Sequence, residues 1–334
     1  MSFMELEAKA TSTEPEVPVG AKRRPIGIWI KAVGSAVLLA VVFSQVSLRD
    51  VAASIRTVSI PLLILAASLH VVGYLVSCIR WRILLAGLGC TVPLGTLVSS
   101  YLVGSFFNSF LPTTVGGDVV RVMDTSRHTS TANAAASVLV ERATGIGALL
   151  VMAGAALLVA PSLAATAPAA GIAALLFAVL GALFVILGWG MVRTGLARRV
   201  GKLGKLLMAV AMYGRSRREL IVASLLGVVL QVNVALHYYL LSAAFHQNVS
   251  PWAFLLITPV LTVVLMLPVS INGVGLREAA FVQLMKPFGV SNASAVALSV
   301  TSYALITLCA LVGGVVYLFR TVKPFEKAET KPVL

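Results

Sequence analysis

Apolar stretches of about 20 residues, the length a helix needs to cross a hydrocarbon core, recur from Ile26 to Tyr317 with only short polar breaks. Inside a bilayer every backbone N–H and C=O must be satisfied within the protein, and helices do this segment by segment. Of the 334 residues 59% are hydrophobic and 11% charged, against roughly 25% charged in a soluble domain, so a water-soluble fold is excluded. The expected fold is all-α, a polytopic helical membrane domain over residues 26–320. A disordered cytoplasmic tail is expected over 1–25 and a cytoplasmic tail over 321–334. Glu5, Glu7, Glu14 and Glu16, mixed with Pro and Thr, do not read as a cleavable signal, which needs a basic start followed by an apolar core.

A net charge of +14 raises nucleic acid as a partner, because clustered Lys and Arg are the footprint of phosphate binding. Here the basic residues fall in short links between apolar runs, so they report topology first and attraction to anionic headgroups second. No nucleic acid is expected. Lys22, Arg23 and Arg24 precede the first span (26–46) and hold the N-terminus in the cytoplasm of an inner-membrane protein. Lys31 can snorkel to the same surface. An amphipathic stretch at 48–60 follows at the outer interface. The second span, 61–79, returns to Arg80-Trp81-Arg82, which reads as a basic and aromatic anchor on the cytoplasmic side. Further spans are expected at 132–159, 169–192, 220–244 and 290–319. Between the fourth and fifth lie Arg193, Arg198, Arg199, Lys202, Lys205, Arg215, Arg217 and Arg218 with no acid among them, the strongest cytoplasmic marker in the chain. In this layout only Arg49, Arg56 and Lys286 lie outside, and only Lys31, Arg142 and Arg277 at membrane depth. Both termini are cytoplasmic.

Two apolar stretches break before they can cross. The first runs from Leu94 to Leu111 and stops at Pro112, followed by Thr113-Thr114-Val115-Gly116-Gly117-Asp118. The second runs from Pro251 to Leu267 and stops at Pro268, followed by Val269-Ser270-Ile271-Asn272-Gly273-Val274-Gly275. Pro removes a donor and Gly is a poor helix former, so neither segment continues as a regular helix. Both are expected to be re-entrant hairpins, at about 94–128 from the cytoplasm and 251–287 from outside. The breaks resemble each other, Leu-Pro followed by paired glycines and an acid and Arg. That pattern predicts an inverted repeat whose broken helices meet near the midplane around a polar cavity.

The charge at membrane depth gathers at these breaks: Asp118 and Arg121, Glu141 and Arg142, Arg277 and Glu278. Ionisable groups inside a bilayer cost several kcal/mol unless paired or hydrated, and they mark functional sites. Arg suits a lipid phosphate, because its planar fork donates paired hydrogen bonds to oxyanions. Amides of Gly116, Gly117, Gly273 and Gly275 at helix starts could add donors, and Asn272 lies among them. The bland alternatives are that the charged pairs are structural clamps and the glycines serve close packing. Asn108, Gln231 and Asn233 read as interhelical hydrogen-bonding residues, and His70 and His237 as packed or interfacial. Cys78, Cys90 and Cys309 are widely spaced with no CxxC pair, so neither a disulfide framework nor a metal site is indicated. No catalytic or nucleotide motif is present, so no cofactor is expected.

As an ordered set, Arg80-Trp81-Arg82, Phe107-Asn108-Ser109-Phe110-Leu111-Pro112, Gly116-Gly117-Asp118-x-x-Arg121, Ser137-x-x-x-Glu141-Arg142-x-x-Gly145 and Leu267-Pro268 with Gly273-x-Gly275-x-Arg277-Glu278 resembles the lysylphosphatidylglycerol synthase transmembrane-region family. Full-length synthases join such a flippase-like region to a cytosolic aminoacyl-transfer domain. Here only a short tail follows Phe319, so the resemblance implies translocation without the synthase activity. The expectation is a non-enzymatic lipid flippase or transporter. Arg121, Arg142 and Arg277 would hold an anionic or polar headgroup, and Asp118, Glu141 and Glu278 would balance or relay charge. The rival expectations are a membrane accessory subunit of a cell-envelope lipid or glycan enzyme, and an intramembrane enzyme using the carboxylates. A homo-oligomer or a biosynthetic enzyme partner fits either of the first two.

Overall fold

The computed structural model describes residues 26–44, 46–111, 116–159, 161–194 and 209–320. The two tails, the break around Thr113 and the basic residues Arg198, Arg199, Lys202 and Lys205 lie outside the described residues, as does the side chain of Lys31. The described residues contain no strand. Their helices are α1 (Ile26–Ser44), α2 (Leu48–Arg56), α3 (Ile60–Gly87), α4 (Leu94–Phe110), α5 (Gly116–Thr125), α6 (Thr131–Val159), α7 (Pro161–Thr166), α8 (Pro168–Arg193), α9 (Arg217–Ala244), α10 (Pro251–Met266), α11 (Leu276–Met285) and α12 (Asn292–Phe319). Four of them, α3, α6, α9 and α12, are each long and apolar enough to cross a membrane. A fifth crossing follows if α1 and α2, bent by 80° at their junction, are taken as one span. The chain is a multi-pass helical membrane protein.

Helix limits follow local chemistry. Gly89 takes a φ of 73° just after α3, a left-handed conformation that glycine adopts without strain. Pro251 sits in the first turn of α10, where its missing N–H costs nothing. Ser291 accepts a hydrogen bond from the Ser294 amide at 3.2 Å and starts α12. α2 is strongly amphipathic, with Val51 buried and Arg49, Asp50 and Arg56 exposed, as expected of an interfacial segment.

Lipid tails are as apolar as leucine, so helix association here rests on close packing and polar contacts. Glycine supplies the closeness. A Cβ on Gly117 of α5 would lie 2.0 Å from the Gly104 carbonyl oxygen of α4, and one on Gly313 of α12 would lie 1.9 Å from that of Leu102. Larger side chains fill the centre, with Leu241, Phe254, Ile257, Phe281 and Met285 almost fully buried between α9, α10 and α11.

The links sort onto two faces. On the first, the Tyr213 hydroxyl donates to the Leu84 carbonyl (2.9 Å), Ser216 donates to Gly87 (2.5 Å), Cys90 meets Thr129 (2.8 Å) and Arg320 pairs with Asp124. Burial pushes the Tyr213 phenol up from its ordinary pKa. On the second face, the Ser59 amide donates to the Ala244 carbonyl (2.9 Å), His246 meets the Thr57 carbonyl (3.1 Å) and Gln247 donates to Ser294 (3.3 Å). α4 begins and α5 ends on the first face, where Gly95, Thr96 and Ser99 share a polar depression of about 330 Å³ with Asp124, Arg127 and Arg320.

Candidate functional site at the two helix breaks

The charged residues singled out in the sequence form two groups. The first joins α4, α5 and α6. Arg121, 7% exposed, pairs with Glu141 and lies 3.7 Å from Asp118. Its guanidinium stacks 4.1 Å over Trp81 and 4.6 Å over Tyr101, a contact that strengthens when desolvated. Arg142, half-exposed, pairs with Asp118. Neighbours in sequence are therefore not the partners: Glu141 holds Arg121, not Arg142. Both arginines are neutralised by carboxylates, which is the geometry of clamps.

Arg80-Trp81-Arg82 departs from its expected role as an interfacial anchor. α3 runs on to Gly87, which carries Arg80 and Trp81 into the packed interior, 4% and 0% exposed. Only Arg82 faces out. Arg80 donates to the Glu141 carbonyl (2.6 Å) and the Thr144 hydroxyl (2.5 Å), and Trp81 Nε1 donates to Ser137 (3.0 Å). Hydropathy marks an interface where Arg80 Nη2 and Trp81 Nε1 instead find partners across helices.

The second group is built by the break between α10 and α11. Gly273 and Gly275 take φ of 79° and 80°, conformations that a Cβ would strain. A Cβ on Gly275 would also lie 2.8 Å from the Ser35 carbonyl oxygen of α1. The turn delivers Glu278 to the start of α11, where Oε2 accepts from the Gly275 amide (2.7 Å) and Oε1 from Ser299 (2.9 Å). Glu278 is thus engaged on both oxygens and does not pair with Arg277. The Arg277 guanidinium lies 4.7 Å over the Tyr303 ring, and its Nε and Nη1 are buried with no hydrogen-bond partner. It faces a pocket of about 150 Å³ walled by Leu39, Phe43, Val274 and Val300.

The second break reaches the last turn of α4. Asn272 Nδ2 donates to the Ser109 carbonyl at 2.7 Å, joining the second break to the end of α4. Two of the four glycine amides offered as anion donors are taken, Gly117 by Asn108 (2.8 Å) and Gly275 by Glu278; Gly116 opens α5. Asn233 donates to the Leu69 carbonyl (3.0 Å), the interhelical role expected of it. His237, buried, lies between the Ala66 carbonyl and Ser302, with its ring 4.3 Å from His70.

Sequence reasoning gave Arg80 a different role and missed Tyr101, Ser299 and Tyr303; none of the four sits in a break. The periodicity from Glu278 gives no hint of Ser299, because the two meet only when α11 packs on α12.

Apolar spans that bury ion pairs and a guanidinium between them define a multi-pass integral membrane protein. The sequence pattern of the lysylphosphatidylglycerol synthase TM region family matches residues 28–314, and the chain belongs to that family. It is thereby a membrane protein tied to lipid metabolism or transport. Among curated proteins, none matches the chain.

Proposed function

We propose that the protein is a lipid flippase or lipid transporter of the bacterial inner membrane, without enzymatic activity of its own. The α4–α5 and α10–α11 units act as re-entrant hairpins from opposite faces, in inverted-repeat order, and the headgroup passes where their breaks meet. The observation that carries this reading is Arg277: a guanidinium with two buried nitrogens unpartnered, over a pocket at a helix break. Leaving such a group unpaired costs several kcal/mol, a cost that an anionic headgroup would offset. The contact of Asn272 with Ser109 supports the meeting of the breaks. Helix geometry adds a depth argument. At 1.5 Å per residue, Glu141 lies about 15 Å along α6 from its first-face end, and Tyr303 about 17 Å along α12 from its second-face end. The two charged groups thus lie at matching depths from opposite sides.

In liposomes carrying a fluorescent anionic lipid, the purified protein should move label between leaflets without altering it chemically. Arg277→Gln should reduce that flux to background while the protein still inserts and unfolds at its usual temperature. Chemical turnover of the lipid would mark an enzyme. Absence of flux across all lipid classes, with a biosynthetic enzyme co-purifying, would mark an accessory subunit.

The first face is assigned to the cytoplasm. Single cysteines at Arg127 and Lys286, both exposed, placed in a background lacking the native cysteines, should react with impermeant maleimide from opposite sides. Labelling of both from one side would end the inverted-repeat reading.

A further inference from the structure

From the walls of the Arg277 pocket we infer that it opens sideways into the second-face leaflet, between α1 and α12, and that it selects lipids by a net-anionic headgroup. The inference rests on the transport reading and names its substrate class and route.

Two wall residues decide the direction of the opening. Phe43 on α1 is 37% exposed and Val300 on α12 is 39% exposed, although both line the pocket. In a membrane protein an exposed apolar side chain in a span faces lipid, so the mouth faces acyl chains rather than water. Depth sets the leaflet. α12 begins on the second face at Ser294 and ends on the first at Arg320, and Val300 lies about 12 Å along it from Asn292 at 1.5 Å per residue. A headgroup can therefore turn inward to Arg277 while its chains stay beside Phe43 and Val300.

Charge sets the class. Among the described residues lining the pocket Arg277 is the one cation, and the one carboxylate, Glu278, accepts from the Gly275 amide on one oxygen and from Ser299 on the other. Each Glu278 oxygen already accepts one hydrogen bond, whereas Arg277 Nε and Nη1 have no hydrogen-bond partner, so what the pocket leaves unanswered is donors, and these match a phosphate diester. A zwitterionic or aminoacylated headgroup would bring its positive charge up beside the Arg277 guanidinium, where like charges repel. The volume, about 150 Å³, suits a phosphate group rather than a large sugar.

The test uses phosphatidylglycerol with a photoactivatable group on its acyl chain, in phosphatidylcholine liposomes holding the whole protein. Light should attach the probe to α1 and α12 around Phe43 and Val300. Arg277→Gln should lower that labelling about tenfold, the effect of losing a charge-assisted hydrogen bond, and Arg277→Lys should restore much of it. Val300→Trp, at a lipid-facing position, should lower labelling with Arg277 intact and guards against a folding defect in the arginine variants. Unlabelled phosphatidylglycerol should compete, whereas inorganic phosphate and phosphatidylcholine should not. Labelling indifferent to Arg277→Gln and Val300→Trp overturns the inference, as does equal competition by inorganic phosphate, which would mark a soluble-anion site, or by phosphatidylcholine. Labelling of the expected pattern in a protein that moves no lipid keeps the pocket assignment and removes the transport reading; flux without labelling on α1 and α12 does the reverse.

Discussion

Glu141→Ala should destabilise the protein by about 3–5 kcal/mol, the usual consequence of removing one partner from a buried ion pair. Arg121, only 7% exposed, would keep Asp118 at 3.7 Å and the faces of Trp81 and Tyr101, which offset part of the loss and place the value toward the lower end. Neutralising both partners with residues of similar volume, Arg121→Met with Glu141→Leu, should recover most of the stability, because the cost lies in the stranded charge rather than in the absence of the pair. Arg142→Ala makes the useful contrast. That side chain is half-exposed in its pair with Asp118, and a solvated pair is worth about 0–1 kcal/mol. Reversible unfolding in lipid nanodiscs measures all three variants. A Glu141→Ala variant as stable as the parent, with flux abolished, would show that this cluster handles substrate rather than clamping α5 to α6.

The second large effect is expected at Gly117. Alanine there would set Cβ 2.0 Å from the Gly104 carbonyl oxygen and 2.7 Å from the Asn108 side chain. A backbone oxygen cannot rotate away, so α4 and α5 must separate. Overpacking of this kind costs about 1–3 kcal/mol and sometimes more, and the parting would also break the 2.8 Å bond from the Gly117 amide to Asn108. We expect about 3 kcal/mol or above, with poor recovery from membranes. Gly147→Ala in α6 is the control, since nothing lies within 4 Å of its Cβ position. There the gain in helix propensity, up to about 1 kcal/mol, should leave the protein unchanged or slightly more stable.

Much of this architecture was legible because its determinants are one-dimensional. Hydropathy located α6, α9 and α12 within a few residues and the start of α3, though α3 runs past the expected end at 79 to Gly87, and Pro112, Pro268 and the glycines beside them marked both interruptions. The charged residues were legible as a set but not as partners. Adjacent Glu141 and Arg142 project from a helix about 100° apart, so each meets a different neighbour, and only packing decides that Glu141 finds Arg121. The same reason separates Glu278 from Arg277. Arg80 and Trp81 misled because an Arg-Trp-Arg run has the composition of an interfacial belt. What buries Arg80 is the carbonyl of Glu141 and the hydroxyl of Thr144, sixty or so residues on, and no local pattern foretells that.

The bond between Asn272 and Ser109 bears on how such a protein can diversify. Asn272 holds a φ of 52°, a conformation that asparagine tolerates and glycine adopts freely. Exchange between these two residues keeps the turn and adds or deletes a single neutral hydrogen bond, worth about 0.5–1.5 kcal/mol. The coupling between the two interrupted helices can thus be adjusted across a lineage by one codon, independently of the stability of either half. Descendants of one scaffold can in this way come to differ in how firmly the two interrupted helices are tied while their folds and their buried charges stay the same.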